Sequence, residues 1–118
     1  MWEVEYIDTF GSWWDELTAE EQDRVTAAVE LLETGGPALG RPLVDTLQGS
    51  RHPNMKELRP RGGRMRVLFA FDPRRMAILL LGGDKSQRWR SWYAQAIPLA
   101  DQLYDEHLQT LRDEGAIP

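Results

Sequence analysis

No cysteine occurs in this chain of 118 residues, so disulfides, thiolate-built zinc sites and thiol nucleophiles are all excluded. Histidine is scarce as well. His52 and His107 are the whole supply, too few for a histidine-built metal centre. No apolar run approaches the ~18 to 20 residues that a membrane-spanning helix requires, and Met1 to Asp8 carry acidic groups where a secretory leader would carry basic ones. A soluble, cytoplasmic protein with no membrane partner is the expectation. What is present is a globular balance of 42% apolar and 28% charged residues, with material for a single domain spanning residues 1–118.

The net charge of −5 conceals a strong polarity along the chain. Between Arg51 and Trp92 lie eleven of the 14 basic residues and only three of the 19 acidic ones, a surplus of eight positive charges. The remainder carries a surplus of thirteen negative charges. Such segregation points to an anion-binding face, suited to nucleic acid phosphates, on an otherwise acidic body. The competing reading is that the arginines line solvated strand edges or pair with the chain's own carboxylates.

Local patterning predicts an α+β fold. Trp2, Val4 and Tyr6 alternate with Glu3 and Glu5, the period of a strand over residues 2–7. Asp8 or Thr9 then caps a short helix with Trp13, Trp14 and Leu17, and Thr18 followed by Glu21 is a capping box for the next. Val25, Ala28, Val29 and Leu32 form the apolar stripe of that second helix, which Gly35-Gly36-Pro37 ends, so a helical hairpin is expected. Residues 35–54, rich in proline and glycine, read as a long surface loop. Strands at Met55 to Arg59, Arg64 to Phe71 and Met76 to Leu81, separated by Arg61-Gly62-Gly63 and Asp72-Pro73-Arg74-Arg75, make an antiparallel meander. Ser86 is placed to cap a helix carrying Trp89, Trp92, Tyr93, Ala96 and Ile97, and Pro98 suits the first turn of a separate final helix.

Three constellations bear on chemistry. Arg59, Arg64 and Arg66 are expected to share one face of neighbouring strands, with Lys56 at its margin, and like charges so placed call for an anion between them. Gly82-Gly83-Asp84-Lys85-Ser86 loosely resembles a phosphate-binding strand-to-helix turn, in which Lys85 and Arg88 would hold the anion; an ordinary turn explains it equally well. Trp89, Trp92 and Tyr93 offer aromatic faces for base stacking, although their helical spacing suits core contacts for the tryptophans. His52, in a loop beside the basic strands, offers an acid or base, whereas His107 falls on the final helical stripe. No carboxylate pair, serine triad or metal-water motif is evident. Phosphoryl chemistry here would rest on Lys and Arg with the substrate supplying the nucleophile, as the 2′-hydroxyl of RNA can.

The stretches Lys56-Glu57-Leu58-Arg59, Arg66 to Asp72, Leu81-Gly82-Gly83-Asp84-Lys85 and Ile97 to Leu108 resemble the phage-derived, HigB-like branch of the RelE/ParE toxin superfamily over nearly the whole chain. The resemblance implies a RelE-like sheet, an N-terminal strand plus a three-strand meander, packed on the helical hairpin with C-terminal helices. It also implies the toxin half of a type II toxin-antitoxin pair. Relatives of the RelE and HigB kinds cut messenger RNA on the ribosome without metal or other cofactor and are neutralised by an antitoxin that is commonly a helix-turn-helix protein. By the same resemblance Arg66 matches the arginine that contacts the scissile phosphate, Lys56 or Arg59 the basic second strand, Lys85 or Arg88 the basic position after the last strand, and Tyr93 a tyrosine beyond it. Arg61 and Arg64 join Arg88 and Tyr93 as expected RNA contacts. The pattern departs at Lys56-Glu57, where two lysines would flank an apolar residue, and at Met65, where a tyrosine would stand. The general base is therefore unassigned, and a ParE-like inhibitor of DNA gyrase stays open as the alternative.

Overall fold

The computed structural model describes residues 1–84 and 89–118. Its elements are β1 (Val4–Tyr6), α1 (Asp8–Asp15), α2 (Ala19–Gly35), a single turn of 3-10 helix (Gly36–Ala38), β2 (Val44–Thr46), β3 (Met55–Leu58), β4 (Met65–Phe71), β5 (Ala77–Asp84) and α3 (Trp89–Asp113). The five strands form one sheet in the order β1-β5-β4-β3-β2, with β1 parallel to β5 and every other pairing antiparallel. The expected meander is therefore present as β3, β4 and β5.

Alternation along β4 explains how the sheet is covered. Met65, Val67 and Phe69 join a core with Phe10 of α1 and Val25, Ala28 and Leu32 of α2. Leu68 and Ala70 turn to the opposite face and pack with Ala96, Ala100 and Tyr104 of α3. Helices thus lie on both faces. The face on which Arg66 begins the strand, expected to receive an anion, is roofed by α3.

The capping box forms as its residues predict: the Thr18 hydroxyl oxygen accepts from the Glu21 N–H at 3.1 Å, and the Glu21 carboxylate accepts from the Thr18 N–H at 2.9 Å. For α1 the boundary residue is Ile7, whose side chain makes no capping bond, in place of Asp8 or Thr9. Two further expectations are corrected. Residues 35–54 are not wholly a loop, because Val44–Thr46 adds β2 to the sheet edge; three residues are too few to display a period-two pattern. The C-terminal segment is one helix, not two, and Pro98 lies inside it. An interior proline costs a helix about 3 kcal/mol, a penalty that the buried Ala96, Ala100, Tyr104 and Leu111 on either side of it offset by packing.

Candidate functional site

Register places the sites. Glu57 of β3 lies opposite Leu68 of β4 and Asp45 of β2, so it faces α3 in company with Arg66, which stands two residues before Leu68 on the same side. Glu57 is 5% exposed and Arg66 7%, and ionised groups this deep need partners. Arg66 donates through Nη1 to the carbonyl oxygens of Met65 at 2.8 Å and Gly63 at 3.1 Å. Its Nε stands 3.7 Å from Glu57 Oε1 and has no hydrogen-bond partner among the described residues. Arg59, immediately after β3, donates to Glu57 Oε2 from Nη2 at 2.7 Å and from Nε at 3.2 Å, and its Nη2 also reaches Asp45 at 3.2 Å. From α3 the Tyr93 hydroxyl donates to Glu57 Oε1.

One carboxylate therefore gathers two guanidinium groups and a phenol. Burial, followed by the Glu57 hydrogen bond, pushes the Tyr93 hydroxyl up to about 12, so at neutral pH it is a donor and not a phenolate. The Glu57 hydrogen bond likewise raises Arg59 above its already high value. Asp45 and Glu57 are cross-strand neighbours of like charge, and Arg59 relieves their repulsion by bridging both.

The other residues singled out from sequence lie elsewhere. Lys56 pairs across the sheet with Phe69 and so sits on the α1–α2 face, opposite to Arg66 and not at the margin of a shared basic face. Arg64 precedes β4 and, with Arg61, is exposed in the turn between β3 and β4; neither makes an ion pair among the described residues. Lys85, Ser86 and Arg88, and the Trp89 side chain, lie outside the described residues. The expected basic face of Arg59, Arg64 and Arg66 is thus replaced by a mixed cluster of Arg59, Arg66, Glu57, Asp45 and Tyr93. Two more of the eleven central cations are also paired internally: Arg51 with Asp105, and Arg74 with Asp72 and Glu5.

The phosphate-turn reading of Gly82-Gly83 is corrected as well. Both glycines are inside β5, and each is pressed by an indole from a different face of the sheet. A Cβ at Gly82 would lie 2.3 Å from Trp13, and one at Gly83 2.2 Å from Trp92. The glycines are there to let tryptophans approach the backbone. Trp92 is accordingly packed within the α3-side core.

Both histidines tie loops to α3. His52 shares a 2.7 Å hydrogen bond with Asp105 and meets Tyr104 edge-on, while His107 is 3.0 Å from the buried Asp72 carboxylate in the β4–β5 turn. Among the described residues no three His, Asp or Glu side chains come together as a metal-binding group. What sequence reasoning missed is the part of Glu57 and Asp45 as built-in counter-ions. A signal existed for Glu57, since residues two apart on a strand share a face, and Glu57 and Arg59 are so spaced.

Comparison with known proteins bears on family and fold. The family model described as phage derived protein Gp49-like matches residues 12–105. The putative toxin HigB3 of Mycobacterium tuberculosis is 56% identical over 87% of this chain and 90% of its own length. The putative toxin HigB2 of the same organism is 51% identical over 91% of this chain, which spans only 55% of that protein's length. Among solved structures, the isolated E. coli RelE toxin superposes with a TM-score of 0.60 at 11% identity, over 82% of this chain and 99% of RelE. The archaeal RelE-RelB complex from Pyrococcus horikoshii gives a TM-score of 0.55 at 16% identity, over 73% of this chain and 97% of its counterpart. At such identities the likeness is one of fold.

Proposed function

The chain belongs to the phage-derived Gp49-like family, within the HigB-like branch of the RelE superfamily, and from that membership we propose that it is the toxin of a toxin-antitoxin pair, acting as an endonuclease on messenger RNA presented by the ribosome. The observation that carries the catalytic part is the convergence of Arg59 and Arg66 on a single carboxylate. Two guanidinium groups aimed at one oxyanion suit a phosphodiester of the same charge, and Glu57 is the group that such a phosphate would replace. Arg66 Nε has no hydrogen-bond acceptor among the described residues. The RNA 2′-hydroxyl attacks the adjacent phosphorus, closing a 2′,3′-cyclic phosphate as the P–O5′ bond breaks and the 5′-oxygen leaves to take a proton from water, while the arginines stabilise the charge that develops on the phosphorus oxygens.

With Lys56 on the far face of the sheet, Glu57 is the group nearest to the arginines that can accept the hydroxyl proton, and Tyr93 positions it. Exposed Arg61 and Arg64 extend the contact along the RNA backbone. A net charge of −5 disfavours binding of free RNA, which makes the ribosome the agent that presents the message. A cytoplasmic setting and an antitoxin of the helix-turn-helix type complete the proposal. In a translation assay with purified ribosomes the message is cut, and Arg66→Ala lowers the rate by about 10²- to 10³-fold. Intact message with folded wild-type protein would defeat the nuclease reading.

A second reading draws on the same cluster. Because Glu57 and Asp45 already neutralise Arg59, and Arg66 is only 7% exposed, the surface also suits a toxin that blocks a protein target such as DNA gyrase without cutting RNA. Inhibition in a DNA supercoiling assay, with message left whole, would favour it.

A further inference from the structure

On the side of the molecule away from the Arg66 cluster, β1, α1 and α2 enclose a groove of about 800 Å³. Its floor is apolar, made by Phe10, Trp14, Val25 and Val29. Its rim is acidic, carrying Asp8, Asp15, Glu30 and Glu33, and among the described residues no lysine or arginine lines it. This matches the charge of the whole segment: residues 1–36 hold ten acidic residues and one basic residue, Arg24, which is itself spent on Glu20.

The strand along this groove is half-paired. In β1 the Glu3 carbonyl accepts from Ala77 and the Ile7 N–H donates to Leu79, so the odd-numbered residues bond to β5. In a parallel ladder the even-numbered residues then direct their main-chain groups outward, where the Trp2 N–H is taken by the Glu33 carbonyl oxygen at 2.8 Å and the main-chain groups of Val4 and Tyr6 have no partner among the described residues. Tyr6, one of the groove's lining residues, is 66% exposed, unusual for a large aromatic side chain.

An apolar floor, a negative rim and an open strand edge together specify an occupant. Nucleic acid and acidic peptides are repelled by four carboxylates, whereas a segment with bulky apolar side chains flanked by Lys or Arg satisfies all three features. We propose that this groove is the docking site for a basic, apolar-studded segment of the cognate antitoxin. The inference rests on the toxin reading above for the identity of the partner. A DNA-binding antitoxin carries a surplus of Lys and Arg for phosphate contacts, which makes its charge complementary to this face. E. coli RelE is itself recorded in complex with its RelB antitoxin. The groove lies across the sheet from Arg66, so the antitoxin would hold the toxin without filling the arginine cluster.

The test uses the full chain, the Glu30→Lys/Glu33→Lys variant and the purified antitoxin encoded beside this chain's gene, with titration calorimetry and amide hydrogen exchange as readouts. The wild type is expected to bind with an affinity that falls as salt is raised, and binding should protect the amides of Val4 and Tyr6 from exchange. The double charge reversal should weaken binding at least about 100-fold while leaving growth arrest by the toxin intact. Equal affinity of wild type and variant, protection confined to β2 or α3, or no binding to the wild type would each overturn the proposal. So would a wild-type dimer in the absence of antitoxin that the variant disperses, because the groove would then hold a second copy of this chain. Failure of the wild type to arrest growth counts against the toxin reading alone, since binding and exchange are measured without reference to toxicity.

Discussion

A guanidinium as deeply placed as that of Arg66 needs acceptors on every side, and two backbone carbonyls with one carboxylate supply most of them. Removing that carboxylate strands Arg66. Glu57→Ala should therefore lower the unfolding free energy by about 3 kcal/mol or more, read from urea melts, whereas an exposed pair such as Arg24 with Glu20 should matter by less than about 1 kcal/mol. Tyr93 gives an alkaline signature at the same place. Its hydroxyl is raised in the folded state, so the stability it lends is complete below about pH 10, the unfolded value, and is lost as the pH climbs towards about 12. Tyr93→Phe should be less stable at neutral pH yet show less of this alkaline loss, followed by denaturant midpoint. At this scale the sequence named Arg59 and Arg66, which converge on one carboxylate, but grouped with them Arg64 and Lys56, which the fold places elsewhere. It left open whether the anion was foreign. The answer depended on the β2–β3 register that sets Asp45 beside Glu57, and on the covering of that face by α3, neither of which is written in local spacing.

Among the elements, the strongest legible signals were those with a local cause. The Thr18–Glu21 box lies within one turn, and Thr18→Ala should cost α2 about 1 kcal/mol, measurable as a fall in Tm. Alternation in β4 separates Met65, Val67 and Phe69 from Leu68 and Ala70, but it carries no sign of the helix that covers the second face. The failures had long-range causes. Gly82-Gly83 looked like a turn because glycine often marks one, but here the two glycines receive Trp13 and Trp92 from opposite sides of β5. Gly83→Ala should destabilise the protein by about 1–3 kcal/mol through overpacking, and Trp92→Leu in the same chain should recover part of the loss in a double-mutant cycle. Pro98 looked like a helix start for a similar reason. Burial before and after it, contributed by the sheet, carries α3 through.

Across the whole molecule, the charge polarity visible in the sequence survives folding in altered form. The acidic N-terminal third becomes the rim of a groove, while several central arginines turn inward onto carboxylates of their own chain. Acid should disclose how much the fold relies on these pairings. Burial pushes the Asp72 carboxyl up, but hydrogen bonds from His107, Arg74 and the Met76 N–H outweigh it and bring the group below its ordinary value. A carboxylate so lowered contributes stability that is complete above about pH 4, its unfolded value, and is lost as the pH falls through the folded one. Asp72→Asn should flatten the decline of the urea midpoint in that acid range. No described helix is long and apolar enough to cross a membrane, and the two cores share one sheet between the α1–α2 layer and α3.

The most direct test of the account is primer extension on message recovered from a purified ribosomal translation reaction, with wild-type protein, Arg66→Ala and Glu57→Gln compared at equal folded concentration. The wild type should give discrete cleavage, and either substitution should reduce its rate about 100-fold or more. Full-length message with all three proteins, or cleavage indifferent to Arg66 and Glu57, would contradict it.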